Sequence, residues 1–374
     1  MLTSAMGQAA AAPQGRTVGA STVKVWSLTS RERLLRSFRR LGLSQLEAAG
    51  GVVLAHVGWV YDESLIGALA RRPGVVLADA AGCAVAAHVA SADASAATAA
   101  LEAGEVPALA GLEVLTAAQL QGTYNDELRK REPPVLARLA ADNVREVEKQ
   151  LFKASYKGVT DLVTKYVWPT PARIVTRWCA AAGITPNQVT FASFLLVLAA
   201  LYLFWAGQFA LGLAAAWGMT FLDTVDGKLA RVTLSSSRWG NVFDHGIDLI
   251  HPPFWWLAWV AGLQASSLPL AQPGLILGVI VGGYVVQRLF EGVFIWAFKI
   301  HIHAWRRFDS FFRLITARRN PNLLILTAAV LAGRADIGIV LVAIWTAVSL
   351  AVHLLQLAQG FLTPRGAVVS WLTR

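Results

Sequence analysis

The second half of the chain is dominated by apolar stretches, each close to the length that crosses the hydrocarbon core of a bilayer. We predict six membrane spans, at 188–206, 210–230, 242–264, 273–298, 321–334 and 337–359. The fifth stretch is short, which allows a tilted or partly interfacial helix. Because a bilayer supplies no water for backbone groups, each span must be helical. The sequence therefore predicts an α-helical integral membrane protein.

The distribution of positive charge between the spans predicts their orientation. The connections at 207–209 and 265–272 carry no charged residue. The basic residues of the opposite side include Lys228, Arg231, Arg238, Lys299, Arg306, Arg307, Arg313, Arg318, Arg319 and Arg365. Cytoplasmic loops carry the excess of Lys and Arg, so we expect both termini on the cytoplasmic side of an inner (cytoplasmic) membrane.

The first half of the chain has a different character. Residues 1–20 are rich in Ala and Gly and are predicted to form a flexible lead-in. Alternating short strands and helices over 21–125 predict a small cytosolic α/β domain. A basic connector with interfacial helices follows at 126–186, then the membrane domain at 187–362 and a cytoplasmic tail at 363–374. The formal charge of +10 fits membrane lipid or a phosphorylated substrate, and with these spans we expect no nucleic acid partner.

Four aspartates, Asp223, Asp226, Asp244 and Asp248, lie inside or beside the second and third apolar stretches. Carboxylates at membrane depth cost a few kcal/mol each and usually mark function. Spacings of three and four residues place each pair on one helix face. If the two faces meet, the four charges need a cation, and hard oxygen ligands favour Mg²⁺, Mn²⁺ or Ca²⁺. The alternative is a set of structural ion pairs with Lys228, Arg231 and Arg238.

These aspartates belong to a longer pattern of fixed residues and gaps. It reads Asp223-Thr-Val-Asp226-Gly227-Lys-Leu-Ala230-Arg231, then eight residues, then Gly240-Asn-Val-Phe-Asp244-His-Gly-Ile-Asp248. With every signature residue matched over 26 positions, the segment resembles the signature of the CDP-alcohol phosphotransferase family. The upstream stretch 185–190 resembles the start of that family's first span. The resemblance covers about 150–362 and implies a six-helix, usually homodimeric membrane fold.

The resemblance also implies roles for individual residues. Asp223, Asp226 and Asp244 would hold a two-metal site of Mg²⁺ or Mn²⁺, with Asp248 close enough to contribute. Asp248 would also be the general base that takes the proton of the acceptor hydroxyl. The residues implied to contact the CDP moiety, or to bring bare backbone near it, are Asn187, Thr190, Gly227, Ala230, Arg231, Ser237 and Gly240.

The implied activity is metal-dependent transfer of a phosphate-linked alcohol from a CDP-activated donor to an acceptor hydroxyl, with release of CMP. This reaction belongs to phospholipid or related polar-lipid synthesis. The donor stays open between CDP-diacylglycerol and a soluble CDP-polyol, and the acceptor between an alcohol, a polyol phosphate and a lipid hydroxyl. The alternative is a non-catalytic six-span scaffold or a transporter that retains the fold.

The soluble domain carries a second resemblance. The stretches Val52–Asp62 and Gly74–Ala78 resemble part of a nucleotidyltransferase domain, which some members of the family fuse to the membrane half. No Gly-rich nucleotide loop is present, and Trp59 stands where a metal-binding Asp is expected. We therefore predict a degenerate, non-catalytic relative of that domain, with an unrelated small α/β domain as the alternative.

Four further groups of residues have simpler interpretations. Arg288 and Glu291, three residues apart, are expected to form an intrahelical or interhelical ion pair, with a substrate contact as the alternative. The aromatic residues at 254–256 and 259 are predicted to face lipid or the interface, and His301 and His303 to be interfacial. The basic loop 299–319 either serves topology and anionic lipid, or uses Arg318 and Arg319 to recognise a substrate phosphate.

Overall fold

The computed structural model of the chain describes residues 13–43, 51–126, 128–236 and 238–373, without the side chains of 238, 239, 241–245 and 365. The chain divides into two compact units. The first consists of Met1–Asn125, Glu132–Ser155 and Val232–Leu234, and the second of Asp126–Arg131, Tyr156–Arg231 and Ser235–Arg374.

The strands lie in the first half of the chain. In chain order they are β1 (Gln14–Val18), β2 (Lys24–Val25), β3 (Leu28–Thr29), β4 (Val52–His56), β5 (Trp59–Tyr61), β6 (Val75–Ala78), β7 (Ala84–Val89), β8 (Glu113–Thr116), β9 (Tyr124–Asn125), β10 (Lys130–Arg131, in the second unit) and β11 (Leu136–Arg138). The helices of the first unit are α1 (Ser30–Arg40), α2 (Glu63–Ala70), α3 (Ala94–Ala103), α4 (Ala117–Gln121) and α5 (Val144–Ala154).

A mixed five-stranded sheet in the order β1-β4-β7-β6-β8 forms the centre of the first unit. The outer pairs β1–β4 and β6–β8 are parallel, whereas β7 runs antiparallel to both of its neighbours. Val53 packs with α1 and α2 on one face of the sheet, and its neighbour Leu54 packs with α3 on the other. Alternate side chains of a strand point to opposite faces, so two covered faces produce the apolar run in β4. The predicted small α/β region is confirmed.

Three of the described elements of the first unit, β1, β11 and α5, lie outside the range 21–125. Strand β1 falls in the segment expected to be a flexible lead-in, and it pairs in parallel with β4 from Gln14–Val52 to Val18–His56. Helix α5 comes from the segment expected to be a connector. Within β1 only Val18 is a buried apolar residue, which is too little to produce a recognisable strand pattern.

The second unit is helical. Its helices are α6 (Pro169–Ala181), α7 (Pro186–Trp205), α8 (Phe209–Val232, whose last residue groups with the first unit), α9 (Arg238–Gln264), α10 (Pro273–Phe298), α11 (Arg307–Phe312), α12 (Arg319–Leu331) and α13 (Ala335–Leu362). Thr185 caps α7 in a reciprocal pair with Gln188, and Pro186 occupies its first turn, a combination that favours a sharp helix start.

Helices occupy all six positions at which we predicted spans. Within the described residues, three of them, α7, α10 and α13, are long and apolar enough to cross a membrane. Helix α8 carries several charged residues near its C-terminal end. Helix α12 has 13 residues and is about 20 Å long at 1.5 Å per residue, shorter than a hydrocarbon core of about 30 Å.

The aromatic residues of α9 correct one prediction. Trp255, Trp256 and Trp259 are buried, and only Phe254 of the group is exposed. The indole N–H of Trp255 donates to a backbone carbonyl at 3.0 Å and that of Trp259 to another at 3.2 Å, as buried tryptophans require. Helix α9 contacts α7, α10 and α13. In a helix that is apolar all round, sequence does not distinguish lipid-facing from buried positions, so the prediction for the tryptophans was wrong.

Candidate active site

The described aspartates of the signature lie on two helices. Asp223 and Asp226 are on α8, one turn apart, and Asp248 is on α9. Asp244 also belongs to α9, but its side chain lies outside the described residues. The charge of Asp226 interacts with those of Asp223 and Asp248. The structure therefore brings these three carboxylates into one neighbourhood.

Asp226 is the most enclosed of the three. Its residue is 3% exposed, and its Oδ2 accepts a hydrogen bond of 2.7 Å from the hydroxyl of Thr190 on α7. The same hydroxyl lies 3.0 Å from the carbonyl oxygen of Pro186, one turn earlier. A buried carboxylate needs such donors, and Thr190 fixes the direction in which Asp226 points.

Asp223 and Asp248 share a partner that sequence reasoning did not assign to them. Arg319, the first residue of α12, forms an ion pair with Asp223 through Nη2 and with Asp248 through Nη1. A single guanidinium thus reaches carboxylates from α8 and from α9. The cation that joins the two carboxylates is therefore the first residue of α12.

The donor set fits a divalent cation of the hard class. The three described side chains offer carboxylate oxygens, which suit Mg²⁺ and Mn²⁺. The guanidinium of Arg319 already pairs with two of these carboxylates, Asp223 and Asp248. Any metal bound by Asp223 and Asp248 would therefore compete with Arg319 for the same carboxylates.

Apart from Ser237, the residues implied to contact CDP lie on α7 and on the two helices that carry these carboxylates. Asn187 is exposed in the first turn of α7. Gly227 faces open space, since a Cβ added there would meet no atom within 4 Å. Ala230 and Arg231 follow one turn later on α8, and Gly240 lies in the first turn of α9. Ser237 lies outside the described residues.

Further cations stand beside the end of α8. The ammonium of buried Lys228 lies 3.5 Å from the ring centroid of Tyr156, a distance typical of a cation–π contact. Burial lowers the pKa of Lys157 to about 8, and the positive charges of Arg129, Arg231 and Arg313 add to this effect. Crowded cations of this kind suit an anionic ligand such as a phosphate. In the sequence, Lys157 looked like one of many connector lysines suited to a lipid surface.

A second polar cluster lies around Glu291 on α10. Its Oε1 is 3.1 Å from Arg288, 2.5 Å from Arg318, 3.3 Å from Nε2 of His303 and 3.4 Å from Nε2 of His353. The predicted Arg288–Glu291 ion pair is confirmed. The interfacial prediction for His303 was wrong, because this residue is buried.

The Glu291 cluster is a poor cation site despite its ligand types. The carboxylate of Glu291 and the rings of His303 and His353 lie within 4.8 Å of one another. The guanidinium groups of Arg288 and Arg318, however, already bind the same carboxylate oxygen. A metal ion there would face both positive charges at close range. We interpret the cluster as a buried network that fixes the chain before α12.

Comparison with known proteins finds one matching family model and several similar relatives. Residues 183–353 match the family model described as CDP-alcohol phosphatidyltransferase. An archaetidylinositol phosphate synthase of Pyrococcus horikoshii is 42% identical over 79 residues, covering 21% of this chain and 42% of the relative. A cholinephosphotransferase 1 of Xenopus laevis is 31% identical over 144 residues (35% and 34%).

A third relative is a phosphatidylinositol phosphate synthase of Mycobacteroides abscessus, 35% identical over 114 residues, which cover 29% of this chain and 51% of the relative. The chain thus spans between 34% and 51% of the length of these curated relatives.

Proposed function

We propose that this chain, whose residues 183–353 match the CDP-alcohol phosphatidyltransferase family model, is a member of that family and transfers a phosphate-linked alcohol from a CDP-activated donor to an acceptor hydroxyl. The observation that carries the proposal is the pairing of Asp223 and Asp248, from two helices, with one cationic group. Such convergence costs free energy in an apolar domain and is typical of a functional site.

The exposure of the carboxylates supports different roles for them. The side chain of Asp248 is 40% exposed, so an acceptor hydroxyl can approach it, and this favours Asp248 as the general base. Asp226 is buried and oriented by Thr190, which suits a fixed ligand. Bound Mg²⁺ or Mn²⁺ would supply positive charge to the attacking and leaving oxygens; its proposed ligands are Asp223, Asp226, Asp244 and Asp248.

The proposed reaction is a direct displacement at phosphorus. The acceptor oxygen forms a bond to the phosphorus that bears the transferred alcohol. The bond from this phosphorus to the phosphate oxygen of CMP breaks, and CMP leaves. The proton of the acceptor hydroxyl goes to Asp248. Arg231, near the end of α8, would offset negative charge on the departing CMP.

The proposal extends to the membrane spans, the oligomeric state and the location of the enzyme. Helices α7, α8, α9, α10, α12 and α13 would be the six spans of a homodimer in the cytoplasmic membrane, with the site on the cytoplasmic side. The first unit would be a degenerate nucleotidyltransferase-like domain. Two relatives are named as synthases of inositol phosphate lipids and one as a cholinephosphotransferase. Lipid synthesis is therefore the proposed process, with donor and acceptor open within the classes stated above.

The test measures CMP release by the purified full chain in lipid nanodiscs. Mg²⁺ or Mn²⁺ would be supplied with CDP-diacylglycerol and then with a set of CDP-polyols, each with pooled alcohol and lipid acceptors. We expect release by the wild type, no release after chelation by EDTA, and none by Asp248→Asn. Asp336→Asn is the matched control, because Asp336 pairs with Arg334 at the start of α13 and should leave activity intact. If folded wild type releases no CMP from any donor, the scaffold or transporter alternative replaces the proposal.

A further inference from the structure

We propose that Arg319 is a displaceable counter-cation that sets the metal affinity of the carboxylate site. Resting on the proposed metal-dependent function, this inference assigns a role to a residue outside the signature segment. A divalent ion held by Asp223 and Asp248 must remove the guanidinium from both carboxylates. Once released, the guanidinium can bind phosphate oxygens of the donor.

The contacts of Arg319 support a competition with metal. Its two terminal nitrogens each bind a different carboxylate, and Nη1 lies 3.6 Å from the sulfur of Met219. The side chain is 15% exposed, so the guanidinium lies inside the site. An arginine cannot lose its proton at physiological pH. It can therefore yield its position only by moving.

The chain next to Arg319 is held in place. Arg318 binds Glu291, whose carboxylate oxygen also lies beside Arg288, His303 and His353. Arg319 itself begins α12, so its backbone is fixed on one side by this network and on the other by the helix. The flexible part is the side chain of Arg319, whose rotatable bonds let the guanidinium leave the carboxylates without unfolding the helix start.

The charges indicate where the released guanidinium goes. One guanidinium offsets only one of the two negative charges of its partners, whereas a divalent ion offsets both. The donor brings a diphosphate, and a guanidinium binds phosphate oxygens with two parallel hydrogen bonds. The proposal therefore predicts two effects of opposite sign when Arg319 is replaced by an uncharged residue. Metal binds more tightly, and the CDP donor binds more weakly.

Direct Mn²⁺ titration in nanodiscs, followed by electron paramagnetic resonance without substrate, tests the first effect. We expect Arg319→Gln to bind Mn²⁺ roughly ten-fold or more tightly than wild type, because two charge-assisted hydrogen bonds no longer compete. Arg319→Lys keeps the charge but lacks the two terminal nitrogens of the guanidinium, and its Mn²⁺ affinity should lie between those of wild type and Arg319→Gln. Arg334→Gln is the matched control and should bind Mn²⁺ as wild type does, since Arg334 pairs with Asp336 at the start of α13. At saturating Mn²⁺, Arg319→Gln should bind a CDP-alcohol at least several-fold more weakly.

The outcomes separate this inference from the proposed function. Equal Mn²⁺ affinity in wild type and Arg319→Gln, or weaker affinity in the variant, overturns the role of Arg319 and leaves the metal site in place. Absence of Mn²⁺ binding in both proteins removes the metal site on which both proposals rest. If Arg319→Gln does not fold, the comparison of Arg319→Lys with wild type decides, and equal affinity there refutes the inference.

Discussion

Thr190 connects α7 to Asp226, the most buried of the three described carboxylates, and replacing it by valine tests this connection. The substitution keeps the branched shape of the side chain and removes the hydroxyl. Asp226 then loses a donor at 2.7 Å in a place where it is nearly inaccessible to water. A hydrogen bond to a charged group contributes about 1.5–3 kcal/mol.

This free energy gives the size of the expected effect. In the variant, the carboxylate of Asp226 is no longer held in one direction, so a metal ion must order it on binding. If the whole contribution is lost from metal binding, the Mg²⁺ concentration for half-maximal CMP release rises about 10- to 100-fold, since each 1.4 kcal/mol is a factor of ten. The melting temperature should fall as well, because the bond also joins α7 to α8.

Thr190→Ser is the matched control, because it retains the hydroxyl and loses only a methyl group. Both variants would be purified in nanodiscs, checked for their melting temperature and titrated with Mg²⁺ at saturating donor and acceptor. We expect Thr190→Ser to lie close to wild type and Thr190→Val to need far more Mg²⁺. Identical Mg²⁺ dependence of the two variants would refute the view that Thr190 positions a metal ligand.

Two further predictions concern stability. Lys157 has a pKa of about 8 in the folded chain against an ordinary 10.5, so between these pH values the unfolded chain holds the proton that the folded chain has lost, and stability rises with pH. The melting temperature should rise from pH 7.5 to pH 10 in the wild type and rise less in Lys157→Met. An equal rise in both proteins would contradict the role of Lys157. Gly262→Ala places a methyl group against the carbonyl oxygen of Phe204 and should lower the free energy of unfolding by about 1–3 kcal/mol. Gly278→Ala, which meets no atom within 4 Å, should cost nothing, and equal melting temperatures would contradict the close approach.

The signature segment shows what the sequence could predict about the site. Asp223 and Asp226 stand out because carboxylates are rare in apolar stretches and because their spacing matches a helix turn. The bridge formed by Arg319 could not be predicted in the same way. Arg319 is 96 residues from Asp223 and 71 from Asp248, and the sequence alone groups it with basic residues that membrane topology would explain. Only the helix arrangement selects it.

The fold shows a similar division. Helix α7 could be placed from its capping residues and apolar length, and strands β4 and β6 from short apolar runs between turn residues. Strand β1 could not, because one buried valine is too weak a pattern and its stability comes from pairing with a strand more than thirty residues away. The prediction that the tryptophans of α9 face lipid was wrong for another reason. Lipid and a helix interior are both apolar, so hydropathy does not separate them.

The two arginines before and at the start of α12 explain how a membrane domain can hold so many charges. Arg318 turns to Glu291 and Arg319 to Asp223 and Asp248, so neighbouring residues serve two separate acidic groups. Attraction to anionic lipid requires neither contact, because an arginine that serves lipid needs an exposed head group. The fixed pair at Glu291 holds the backbone, and this restricts the guanidinium of Arg319 to a short reach that includes both carboxylates. Arg318, which holds the backbone, and Arg319, which joins the two carboxylates, are adjacent in sequence. We therefore expect any shift of the Glu291 network to change how Arg319 competes for the proposed metal site.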